Sequence, residues 1–238
     1  MQITIIGAGR AGSSLFDALR DVGHDVRLMH HDEIGQIQDS DLILLTVPDD
    51  AIESVANELP SNDHTVVAHV AGSKGLSELS RHPRIAFMHP LAALPTPSVG
   101  AARLRGALYS VGGDHLVDEV VASLGGRAVH LSDDQRVLYH ATASVTANHL
   151  VALLGHAQVL AEAAGLSLED FLPLAQHALD DVASMGVDAA LTGPASRADM
   201  STIDAHLAAL PESERSTYVA LANAAFELAE KRRATSGV

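Results

Sequence analysis

The chain has no cysteine and no tryptophan among its 238 residues. The first absence excludes disulfides, thiol nucleophiles and thiolate metal ligands. The second belongs to a wider scarcity, since aromatic residues make up only 3% of the sequence. That is too few for the stacking platforms on which proteins hold single-stranded nucleic acid. Basic residues are scarce as well: 15 Lys and Arg stand against 30 Asp and Glu, a formal net charge of -15. The resulting field repels phosphate backbones and anionic membranes, so neither nucleic acid nor a membrane is expected as a partner. An anionic ligand would have to be gripped locally by Arg, Lys or His. No uninterrupted apolar run approaches the roughly 20 residues that span a bilayer. Met1 leads straight into a strand pattern without a basic leader or a cleavage site, and a cytoplasmic protein is expected.

What fills the gap is small and aliphatic. Apolar residues make up 47% and charged residues 19%, a globular composition with ample material for a core. Through the first half, short apolar runs alternate with amphipathic stretches, the pattern of a parallel α/β sheet. Gln2–Ile6, Asp25–Met29, Leu42–Val47, Thr65–Ala68, Arg84–Met88, Ala107–Val111 and Ala128–Leu131 read as strands. Helices are expected at Ala11–Asp21, Asp49–Leu59, around Leu76–Ser80 and at Asp114–Leu124. Pro95, Pro97 and Gly100 read as a loop. After Ser132 the pattern is helical throughout: Asp133–Ala164, then a helix restarted by the Ser167–Asp170 capping box and running to Met185, then Arg197–Leu210 and Glu212–Arg233. A short tail from Ala234 reads as loose. The expected fold is an α/β Rossmann-type N-terminal domain with a parallel sheet (1–131), followed by an all-helical domain (132–238).

Gly7-Ala8-Gly9-Arg10-Ala11-Gly12 is a G-x-G-x-x-G placed directly after a strand and before a helix, the context that gives this pattern meaning. Gly7 permits the tight turn, Gly9 lets the backbone approach a pyrophosphate, and Gly12 lets the helix pack against the strand. With Arg10 and Ala11 these residues form a dinucleotide cradle at a helix N-terminus. NAD-binding folds carry an acid about 20 residues on, at the end of the second strand. Here His30 and His31 occupy that place, and with Arg10 nearby NADP is favoured, NAD remaining possible; both histidines equally fit exposed loop positions. Thr46-Val47-Pro48, His69 and His89 end further strands and should face the same crevice. Either histidine could instead make a structural hydrogen bond.

His140, Ser144 and Asn148 are spaced i, i+4, i+8 on the long helix and should share one face. Such a stripe could donate and accept protons beside a hydride donor; it could also seal a domain or dimer interface. Arg197, in LTGPASRAD, could clamp a carboxylate or pair with Asp199. No histidine spacing matches a known metal site, and no metal is expected.

IIGAGRAG, TVPDDAI, HVAGS, MHP, YHATASVTANHL and LTGPASRADM, in this order, resemble bacterial proteins with a Rossmann-like domain followed by a domain called DUF2520. That architecture is similar to pyrroline-5-carboxylate reductase, ketopantoate reductase and the 6-phosphogluconate and β-hydroxyacid dehydrogenases. The resemblance implies a dinucleotide-dependent oxidoreductase with a helical domain that dimerises. The wider superfamily often carries a Lys followed four residues later by Asn on the interdomain helix; this chain has His140 and Ser144 there instead. The expected activity is an NADP(H)-dependent reduction of a small carbonyl or imine acid, with His140 as proton donor and His89, Ser144, Asn148 and Arg197 around the substrate. The alternative is a non-catalytic dinucleotide sensor or scaffold. A homodimer is also expected from the apolar helical half, which can hardly bury its own faces.

Overall fold

A computed structural model describes residues 1–236. Seven strands form one sheet in the order β2-β1-β3-β4-β5-β6-β7, where β1 is Gln2–Ile6, β2 Asp25–Met29, β3 Leu42–Leu45, β4 Val66–His69, β5 Ile85–Pro90, β6 Leu108–Gly113 and β7 Arg127–His130. The first five strands run parallel; β6 is antiparallel to β5, and β7 runs with β6. β3 and β4 are buried along their whole length, which is why they read as unbroken apolar runs and not as alternation. One core packs Ile3, Ile5, Leu15, Leu42, Leu44, Met88 and Tyr109; the other packs Ile6, Ile43, Leu45, Val55 and Leu79. Because β1 sits between β2 and β3, the chain reverses direction across the sheet there. Ligands of open α/β sheets bind beyond the carboxyl ends of the strands at such a switch point.

The helices are α1 (Arg10–Asp21), α2 (Ile52–Glu58), α3 (Pro97–Leu104), α4 (Leu116–Ser123), α5 (Asp133–Ser144), α6 (Leu150–Ala163), α7 (Leu172–Met185), α8 (Val187–Ala190), α9 (Gly193–Ser196), α10 (Met200–Ala209) and α11 (Glu212–Ser236). The loop expected around Pro95, Pro97 and Gly100 is instead helix α3. Pro97 stands at its first turn, where a missing N–H costs nothing. Gly100 is buried against α1, where a Cβ would meet Ser14 Oγ at 2.1 Å. The tail expected from Ala234 continues α11 as far as Ser236; its last two residues lie outside the described residues.

The chain divides into two compact units, Met1–Ala147 and Asn148–Val238. The first therefore runs past the expected boundary at 131 and takes in α5. The reason is side-chain packing: Arg136 is buried, donates to the Lys74 carbonyl and stacks over Phe87. Between α5 and α6 the backbone forms a π turn at Val145–His149. Thr142 and Thr146 donate their hydroxyls to carbonyls four residues back, at Leu138 and Thr142, a competition that loosens the helical ladder. Among the described residues, Asp134–Ala163 is one helical stretch long and apolar enough by composition to cross a bilayer, contrary to the expectation from uninterrupted runs. The α5 part of it is packed on the sheet as just described.

Candidate functional site

The glycine turn is built as its sequence requires. Gly7 has φ +112°, a conformation open to glycine, and donates its N–H to the Met29 carbonyl at the end of β2. A Cβ on Gly7 would lie 2.8 Å from the Thr46 carbonyl oxygen, and one on Gly12 would lie 1.9 Å from the Gly7 carbonyl oxygen. No residue but glycine fits either place. Gly9 is the opposite case: a Cβ there would meet nothing within 4 Å, so space lies open above the turn. Gly9 is also the N-cap of α1, without a side-chain cap and without an acid in the first turn. The amide groups that start α1 are thus left for an outside acceptor. Arg10 and Ala11 open that helix, and Arg10 is exposed.

Thr46 supports this turn from behind. Its hydroxyl donates toward the Gly7 carbonyl (2.7 Å) and lies 3.0 Å from that of Ile6. Expected to touch a cofactor, its side chain is instead committed to the turn's backbone. Val47 and Pro48 follow, Pro48 preceding a 3-10 turn at Asp49–Ala51. At the end of β2, His30 precedes a 3-10 helix at His31–Gln36, and its N–H donates to the Glu33 carboxylate. Both histidines are exposed, and His31 lies 3.9 Å from the Glu58 carboxylate. Of the two acids that follow, Asp32 and Glu33, Glu33 accepts the His30 N–H and so holds the loop.

A second group forms beyond β4 and β5. His69 is fully buried. Its Nδ1 accepts the Ala71 N–H at 3.2 Å, so its Nε2 carries the proton and donates to the Gly75 carbonyl at 3.0 Å. Burial, followed by the Arg136 charge among its other causes, holds its pKa below the usual imidazole range. The expected cofactor contact of His69 is therefore corrected: both ring nitrogens are spent shaping loop 70–75, and none is left for a ligand. That loop is tied to the one after β3 by a Ser73 hydroxyl bond to Asp49, 2.8 Å.

His89 and His140 are brought together as candidate catalytic residues. Their rings stand 5.6 Å apart, edge to face, and Tyr139 packs edge-on against His89 at 5.8 Å. Gly72 lies directly beneath: a Cβ would meet His140 Nδ1 at 2.4 Å and His89 Nε2 at 2.8 Å. Burial, then the His140 charge, pushes the His89 pKa down to about 4. Burial pushes the Tyr139 hydroxyl up.

Gly72 and Tyr139 were not singled out from sequence. Gly72 stands inside HVAGS and Tyr139 beside His140, but only the return of α5 onto the sheet, 68 residues after Gly72, makes either meaningful.

The remaining candidates are Ser144, at the end of α5, and two residues of the second unit. The extra residue of the π turn breaks the i, i+4 spacing between Ser144 and Asn148, so the expected single stripe ends at Ser144. Asn148 is exposed and begins the second unit. Arg197 is exposed at the end of α9, also in the second unit, and its charge lowers the pKa of Asp199, chiefly held down by hydrogen bonds from Thr202 and Ser201.

Comparison with solved structures finds the same fold at low identity. A candidate NADP oxidoreductase, BF3122 from Bacteroides fragilis, superposes with a TM-score of 0.80 at 19% identity, covering 95% of this chain and 98% of that one. A reductive aminase from Aspergillus terreus, in complex with NADPH and ethyl-5-oxohexanoate, gives 0.68 at 18% identity, with 95% and 93% covered. The pyrroline carboxylate reductase of Plasmodium falciparum, with NADP bound, gives 0.62 at 13% identity, with 98% of each chain covered. No curated protein matches. Residues 112–225 match the family described as "Domain of unknown function (DUF2520)", so the chain carries a DUF2520 domain that starts in the last strands of a Rossmann-like sheet and continues through the helical unit.

Proposed function

We propose that the protein is an NADP(H)-dependent oxidoreductase that reduces a small carbonyl or imine acid. The observation that carries this reading is the uncapped N-terminus of α1 beside open space at Gly9, with Gly7 and Gly12 admitting no side chain. Pyrophosphate fits such a cradle because its oxygens accept the amides that the helix leaves unpaired. Three structural neighbours that are NADP(H) enzymes by name share the fold. Arg10, His30 and His31 are the groups assigned to meet a 2′-phosphate. One oxygen of the Glu33 carboxylate is held by the His30 N–H. When bound, the reduced nicotinamide supplies hydride.

The chain's own part in the chemistry falls to the cluster beyond β4 and β5. Reduction of a carbonyl or imine consumes a proton, and His140 is the residue assigned to deliver it. His89 beside it stays neutral near pH 7 and can accept a hydrogen bond. Ser144 follows one turn on along α5, and Asn148 and Arg197 are assigned to hold the substrate. The protein is further proposed to act as a homodimer through its helical unit, where α7 buries none of its residues.

The test is calorimetric titration of the purified protein with NADPH, NADP, NADH and NAD. Micromolar binding of NADPH, at least tenfold tighter than NADH and abolished by Gly12→Ala, is the expected result. Failure of all four nucleotides to bind would leave a Rossmann-shaped scaffold and remove the oxidoreductase reading.

A further inference from the structure

Few buried side-chain polar atoms lack a protein partner among the described residues. Three of them belong to one cluster: His89 Nδ1, Tyr139 Oη and His140 Nδ1. Buried polar groups in folded proteins are nearly always bonded, so an unmet group calls for an explanation. Here the rings that carry all three pack against one another above Gly72, at the carboxyl end of the sheet. They also share a chemical trait. A phenol donates one hydrogen, and each neutral imidazole donates one more. Three unmet polar atoms on neighbouring rings suit a group with many lone pairs.

We propose that His89, Tyr139 and His140 receive the carboxylate of a 2-oxo acid, and that this anion enters together with one proton. The charges around the pair support the second half of that statement. His89 faces His140 on α5 and His69 on β4, and the carboxylate acting on it is Asp49, from the loop after β3. Asp49 is held by Ser73. Glu78 acts on His69 and is paired with Lys74. Arg136 is turned to the Lys74 carbonyl and the Phe87 ring. The free cluster therefore has two imidazoles 5.6 Å apart and little counter-charge, which disfavours a proton on His89. A carboxylate brought among them supplies the missing negative charge, and a proton follows it.

This inference rests on the oxidoreductase reading only for its reductant. In a 2-oxo acid the carboxylate and the reacting carbonyl sit on adjacent carbons. The proton drawn in by the first is thus within reach of the second. The carbonyl carbon gains hydride from the reduced nicotinamide, and the carbon–oxygen π pair takes the proton from the imidazole pair. The products are a 2-hydroxy acid and the oxidised nicotinamide, with the carboxylate unchanged. The same assignment moves the anion-binding role from Arg197 to the histidine cluster.

The test is nitrogen-15 NMR titration of the histidines in the full-length protein, with pyruvate as the anionic probe and acetone as its neutral counterpart. His89→Gln assigns the resonance. Pyruvate is expected to raise the apparent pKa of His89 from about 4 by about 2–3 units, enough for the ring to take up a proton near neutral pH and within the reach of an opposite charge a few ångströms away. Acetone should leave it unmoved. Gly72→Ala, which displaces both rings without removing a titrating group, should abolish the rise while circular dichroism remains that of the parent. If that variant fails to fold, Tyr139→Phe, which removes one donor, should at least halve the pyruvate affinity read from the same titration. An unchanged His89 titration with pyruvate overturns the proposal. So does a rise that survives Gly72→Ala and disappears in Arg197→Gln, because the carboxylate would then lie at Arg197. NADPH binding is measured on the same samples. A pyruvate-linked rise without NADPH binding keeps the receptor and removes the oxidoreductase; NADPH binding without the rise does the reverse.

Discussion

At the scale of single residues, His89 illustrates how burial near a like charge becomes a property of the whole chain. Its folded pKa of about 4 lies below that of an exposed imidazole, about 6.5. Between those values the unfolded chain holds the proton and the folded one does not, so stability rises with pH. The contribution is complete above pH 6.5 and is lost as the pH falls toward 4. Its ceiling, at 1.36 kcal/mol per unit, is of order 3 kcal/mol. Thermal unfolding of the parent should therefore fall steeply between pH 6.5 and 4, and His89→Gln should flatten that limb. His69, lowered in the same direction, retains part of the slope. An unaltered limb in His89→Gln would show that the imidazole is not held neutral in the folded protein. The residues differ in how far they can be read from sequence. Gly7, Gly9 and Gly12 are legible because their neighbours in space are neighbours in the chain. Gly72 and Tyr139 are not, because the rings that enclose Gly72 come from His89 on strand β5 and from His140 on a helix, 51 residues further on. His69 was visible as a residue at a strand end, but the direction of its two nitrogens depends on a loop backbone that no side-chain pattern encodes.

At the scale of elements, the strands were legible within one or two residues, since buried runs such as LILL and VVAH leave few alternatives. Helix α3 was not, because its proline and glycine are the residues that usually punctuate a loop. Both have a local reason in the structure. Pro97 starts the helix, and Gly100 lets it lie against α1, the helix that follows the glycine turn. The π turn was equally hidden: an α-helical period was assumed through Asn148, and the threonine hydroxyls that disturb it give no hydrophobic signal. A prediction belongs to the α1–α3 contact. Gly100→Val places a side chain onto Ser14 and Leu94, within 2.1 and 3.2 Å of an ideal Cβ. Overpacking of this kind costs about 1–3 kcal/mol. The denaturation midpoint in urea should fall accordingly, and the shift of α1 should weaken NADPH binding in calorimetry. A midpoint unchanged from the parent would mean that the two helices separate without loss.

At the scale of the whole molecule, the two units differ in how they are stabilised. The sheet unit has two cores of fully buried aliphatic residues. In the helical unit α6 buries only Ala161 and α7 buries nothing, although both are rich in Leu, Val and Ala. Val151 is 70% exposed and Leu174 67%, with Leu153, Val159, Leu172, Leu179 and Met185 also exposed. Ala152, Leu153, Val159, Ala220 and Leu221 line an apolar groove between α6 and α11. Contiguous apolar surfaces of this composition are rarely left open to water. A second copy is the occupant we propose, because one chain presents both the groove and the exposed apolar residues that could fill such a groove. The net charge of -15 on each chain opposes that association. Apolar burial must therefore outweigh repulsion, and added salt should tighten the dimer by screening. An obligate contact of this kind is expected to bury about 2,000 Å² or more. Light scattering at micromolar concentration should give twice the 24.8 kDa of one chain, with the dimer fraction rising between low and physiological salt. Leu174→Asp should shift the mass toward that of one chain, while leaving NADPH affinity at the glycine turn within a fewfold of the parent. A parent protein that remains at 24.8 kDa under both conditions would remove the second copy as the partner of these helices.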